Sequence, residues 1–115
     1  MAQITEYGYQ KLRDFVQSSW KYVELRDESN NAIIRLGVGD SRVTWLTHSE
    51  GASKLKLQIV IKGSDVTLPK TFSKAVIFDV ASNGTIIAES TFTDVTLTQS
   101  IDEITVVSTF TIPVV

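Results

Sequence analysis

Beyond Trp20 the chain alternates between apolar and polar positions. Lys54–Lys62 is the clearest case. Leu55, Leu57, Ile59 and Ile61 fall on one face, and Lys54, Lys56, Gln58 and Lys62 fall on the other, interrupted only by Val60. Successive side chains of a strand point to opposite faces, so this segment predicts an antiparallel strand with one wet side. Trp20–Arg26, Ala32–Val38 and Arg42–Thr47 also read as strands, the last with Val43 and Trp45 on one face. Glu28-Ser29-Asn30-Asn31 forms a polar turn after the first, and Gly37-Val38-Gly39-Asp40 breaks the second. Lys74–Ala81 and Thr85–Thr93 flank Ser82-Asn83-Gly84. Asn-Gly between two apolar runs predicts a hairpin, with Val76, Phe78 and Val80 facing the core. Val95–Thr98 and Glu103–Ile112 close the series, and Pro69 marks an edge or a loop.

The first segment follows a different period. Tyr9, Leu12 and Val16 recur at spacings of three and four, with Phe15 beside them. Thr5 suits an N-cap, and Glu6 suits the positive end of the helix dipole. The spacing predicts a short helix over Glu6–Gln17, although Gly8 weakens it by about 1 kcal/mol relative to Ala. The predicted fold is all-β: an antiparallel, jelly-roll-like β-sandwich of seven to eight strands with one short N-terminal helix. Residues 1–115 are expected to form one domain, with the helix at 6–17.

Composition supports this. Thr, Val and Ile supply 37 of 115 residues, and β-branched side chains suit a pleated sheet. The net charge of −2 gives no electrostatic reason to expect nucleic acid. No apolar run is long enough for membrane insertion, and no secretory leader is expected. Cysteine is absent, which removes disulfides, thiolate metal sites and a cysteine nucleophile.

Candidate chemistry is sparse. His48, the single histidine, lies in a polar loop beside Ser49 and Glu50, where adjacency in sequence does not make a triad. The carboxylates fall mostly at turns, where Asp accepts hydrogen bonds from its own backbone. No catalytic residue, cofactor-binding residue or metal ligand is therefore expected. Trp20, Tyr22 and Trp45 are the candidate sugar-stacking rings, although their strand positions favour core packing. Tyr7, Tyr9, Leu12, Phe15 and Val16 carry more apolar surface than one sheet edge would cover. They are the candidate subunit interface.

One string of features has a counterpart elsewhere. Ile4-Thr5-x-x-Gly8 runs into the helix and then into Trp20-Lys21-Tyr22-Val23-Glu24-Leu25-Arg26-Asp27. Asp40-Ser41-Arg42-Val43-Thr44-Trp45 follows, and a Thr-rich tail carries Asp102-Glu103-Ile104-Thr105-Val106. This resembles small virion structural proteins of tailed bacteriophages, of the tail-fibre, baseplate or head-fibre type. The resemblance implies a homo-oligomer, with a trimer favoured, that docks onto other virion proteins or binds a host cell-surface carbohydrate. It also implies assembly in a bacterial cytoplasm. A carbohydrate-binding β-sandwich module is the alternative expectation.

Overall fold

The computed structural model describes residues 2–46 and 54–112. Helix α1 spans Glu6–Ser19. Seven strands follow: β1 Tyr22–Arg26, β2 Ala32–Gly37, β3 Val43–Leu46, β4 Lys54–Lys62, β5 Lys70–Phe78, β6 Ala88–Leu97 and β7 Glu103–Thr111. They divide into a four-stranded sheet ordered β2-β1-β5-β6 and a three-stranded sheet ordered β3-β4-β7. Every strand pair is antiparallel. The two sheets form a β-sandwich.

The core is contributed by both sheets. Val23, Leu25, Phe72, Ala75, Ile77 and Leu97 come from the larger one. Val43, Leu57, Ile59, Ile61, Ile104 and Val106 come from the smaller one. Strand β4 alternates as its sequence predicts, with Leu55, Leu57, Ile59 and Ile61 buried.

Turn chemistry sets where the strands stop. Asp27 accepts from the backbone N–H groups of Ser29 and Asn31 at 2.9 and 2.8 Å, and Asn30 takes a left-handed φ of 65°. Trp20 caps the helix by donating its backbone N–H to Val16, so β1 begins at Tyr22 and not at Trp20. The stretches Thr85–Thr93 and Val95–Thr98 merge into the one strand β6. An irregularity between Phe72 and Lys74 on β5 keeps the two strands paired from end to end. Asn83 and Gly84 have φ of 58° and 84°, the positive values expected of them. The ladder nevertheless ends at the Ile77–Ala88 pair, which leaves a loop wider than a two-residue hairpin.

The register of β5 corrects one expectation. Val23 pairs with Ile77 and Leu25 with Ala75, so Ala75 and Ile77 face the core. Val76 and Phe78 lie on the opposite face, and Val80 is exposed beyond the strand. Val76 and Phe78 are buried all the same, because charged side chains cover them. The Glu24 carboxylate accepts from Arg26 at 2.7 Å and Arg35 at 3.0 Å. The Arg35 guanidinium lies 3.5 Å from the Phe78 ring centroid and donates to the carbonyls of Val80 and Asn83. Long side chains with apolar stems and planar heads here form a lid over the outer face of the sheet.

Two predictions follow from this packing. Replacing Leu57 with Ala should destabilise by about 2–5 kcal/mol and Lys56 with Ala by no more than about 0.5, measured by urea unfolding. Equal losses would mean that the faces are inverted. Glu24→Gln should destabilise by about 3 kcal/mol, because two largely buried guanidinium groups lose their counter-charge. A variant unfolding at the wild-type midpoint would refute the lid.

Candidate interaction surface

Helix α1 turns its faces in an unexpected sense. Its buried residues are Arg13 and Val16, with Tyr9 half-buried on the same side. A spacing of four, then three, places Tyr9, Arg13 and Val16 in one stripe. Arg13, only 1% exposed, donates to the Gln10 side chain at 3.0 Å, to the carbonyl of Ile112, and to Glu6 in an ion pair. The guanidinium thus ties the helix to the end of the last strand. Trp20 continues the contact by packing edge-to-face on Phe110, with ring centroids 5.4 Å apart.

The outward side is apolar. Tyr7 is 72% exposed, Phe15 61%, Ile4 47% and Leu12 45%. Thr5 caps the helix by accepting from the Gly8 N–H at 3.2 Å, and Ile4 closes over Gly8, where a Cβ would crowd its side chain. Lys11 lies over the Tyr7 ring at 5.1 Å. Of the interface residues expected from sequence, Tyr7, Leu12 and Phe15 are exposed, whereas Val16 packs inside the chain. Ile4 and Arg13 were not anticipated. The signal for Arg13 was its place in the Tyr9–Val16 stripe, obscured because charged residues are almost never fully buried unless paired.

The aromatic rings do not form one platform. Trp20 and Trp45 are half-buried, both against Phe110, with the Trp45 centroid 6.2 Å from it. Tyr22 lies on the outward face of the other sheet, beside Gly37. His48 lies outside the described residues.

The carboxylates hold turns together. Asp40 forms a double contact with Arg42 through the guanidinium, both bonds at 2.9 Å, and accepts from the Arg42 backbone N–H. The guanidinium first, and then that backbone N–H, hold its pKa at about 2, well below the usual 3.8. Asp102 is lowered by the backbone N–H groups of Thr98 and Gln99, and Asp27 chiefly by that of Asn31. Among the described residues no three His, Cys, Asp or Glu side chains come together as a metal would require.

A second apolar feature lies between the two sheets. Strands β6 and β7 are edge strands, one from each sheet, and between them runs a cleft of about 390 Å³. Phe92, Val95, Ile104, Val106 and Val107 supply its apolar lining.

Fold and surface together define an all-β sandwich whose one helix exposes several apolar side chains on its outward side. The chain matches no family model, and no curated protein or solved structure shows significant similarity to it.

The depressed carboxylates give a pH dependence. A group whose folded pKa lies below its unfolded value stabilises the fold above the unfolded value. That contribution is lost as pH falls through the folded one. Stability should therefore be flat above about pH 4 in this respect and decline toward the Asp40 value of about 2. Urea midpoints across that range check it, and Asp102→Asn should shrink the decline.

Proposed function

We propose that this chain is a homo-oligomeric structural protein of a bacteriophage virion. It serves in tail, baseplate or fibre assembly or in host attachment, and it works by contact and not by catalysis. The observation that carries the contact role is the outward side of α1. A short helix is stabilised mainly by burying its apolar face against the rest of the fold. Here the buried stripe includes a paired arginine, while Ile4, Tyr7, Leu12 and Phe15 face solvent. An exposed apolar patch of aromatic and aliphatic side chains is the composition of an interface core. The virion setting and the favoured trimer rest on the sequence resemblance alone.

The carbohydrate-module alternative calls for aromatic faces in an open row. Trp20 and Trp45 are turned onto Phe110, and Tyr22 is on another face, so no observation favours that reading.

The test uses the double variant Tyr7→Lys/Phe15→Lys, which changes two exposed side chains and should leave the circular dichroism unaltered. Light scattering should show an oligomer for the natural chain and a smaller species for the variant. A natural chain that is monomeric at micromolar concentration would overturn the proposal.

A further inference from the structure

The free edge of β7 carries a second contact, separate from the helix face. Hydrogen-bond parity identifies which groups are available. Val60 donates its backbone N–H to Arg42, and Gly63 donates to Asp102. Both bonds belong to the closely spaced pairs of antiparallel ladders, which recur every second residue. Even-numbered residues of β4 therefore bond toward β3, and odd-numbered ones toward β7. From Gly63 and Asp102, the bonded pairs continue as Ile61–Ile104, Ile59–Val106, Leu57–Ser108 and Leu55–Phe110. Glu103, Thr105, Val107, Thr109 and Thr111 consequently aim their backbone N–H and C=O groups away from β4. Among the described residues no strand pairs with that edge. The edge has no lysine, proline or bulge, the usual devices that block strand addition.

We propose that β7 pairs antiparallel with β7 of a second copy, about a two-fold axis through Val107. That register opposes Val107 to Val107, Thr105 to Thr109, Ile104 to Phe110 and Val106 to Ser108. Each outward-aimed backbone group then meets another, because an axis on a residue opposes odd-numbered positions to odd-numbered ones. Side chains also match by face. Buried positions oppose buried positions, and Thr opposes Thr on the wet side, a favourable cross-strand pair. Glu103, the only charge on the strand, faces Thr111 and not its own copy. Moving the axis to Val106, Ser108 or further along keeps the parity but leaves part of the strand without a partner among residues 103–111. The cleft between β6 and β7 adds a place for the partner. Inward side chains of an added strand would point into the same layer as Val106 and lie along its opening. Such strand addition gains affinity from main-chain hydrogen bonds and specificity from alternate side chains. With the separate contact at α1, it would link copies into a larger array.

Because the chain lacks cysteine, single substitutions report the register cleanly. Directly opposed residues in a bonded pair lie about 5.5 Å apart at Cα, with Cβ atoms beyond disulfide reach but within that of a short bifunctional thiol reagent. Val107→Cys should form a covalent dimer with such a reagent. Thr105→Cys should not, since its own copy would lie about 13 Å away along the strand. The cross-link should persist in the Tyr7→Lys/Phe15→Lys background, which separates it from the helix contact. Val107→Lys, at an exposed side chain, should leave the circular dichroism of the folded chain unchanged and lower the mass measured by light scattering. Equal cross-linking at both cysteines, no cross-link at position 107, or an unchanged mass for Val107→Lys would each overturn the proposal while leaving the helix contact standing.

Discussion

The structure depends on one constraint: the apolar stripe of β4 has to stay against the larger sheet. β4 is the centre of a three-stranded layer, so its register sets those of both β3 and β7. Leu57, Ile59 and Ile61 are each no more than 1% exposed and share the core with Val23, Leu25, Ala75 and Ile77. A slip of one residue would move all of them to the wet face and the lysines into the core. The same parity that buries these side chains sends the backbone bonds of Ile104 and Val106 inward. The backbone groups of Thr105, Val107 and Thr109 are left on the free edge.

Charge and apolar surface are distributed unusually around that core. The outer face of the larger sheet is covered by the Glu24, Arg26 and Arg35 side chains lying over Val76 and Phe78. Arg13 fixes the helix from inside through paired hydrogen bonds, while Tyr7 and Phe15 stand in solvent. Both arrangements use guanidinium groups as ties within the chain. Breaking such a pair exposes an uncompensated charge in a place that water reaches poorly, so each tie is strongly position-specific. A rigidly held helix can present apolar side chains without collapsing them onto its own sheet.

Among the described residues several carboxylates are committed to structure. Asp27, Asp40, Asp65 and Asp102 accept backbone N–H groups at turns, so their acceptor capacity is engaged where strands end. Among the described residues, helix α1 exposes hydrophobic side chains, and the β7 edge exposes backbone groups that no described strand pairs. Groups of that kind recognise another protein surface by burial and by strand addition.

The sequence alone determined the strands whose alternation has a single solution. β4 was legible because its period of two admits one orientation only, and the turn at Asp27–Asn31 because left-handed backbone favours few residue types. The helix was legible in extent from its Thr5 cap and its spacing. Its facing was not: Leu12 and Phe15 fit a helical stripe as well as Tyr9 and Val16 do, and contacts distant in sequence, the carbonyl of Ile112 among them, place Arg13 inside. The facing of β5 was decided in the same way. Val76 and Phe78 alternate with Ala75 and Ile77 in an unbroken apolar run, which carries no period. Arg35 and Glu24 on neighbouring strands choose between the two faces. Local pattern settles a residue's environment when one face is polar. When both faces are apolar, or when a charge finds its partners across the fold, only the tertiary contacts decide.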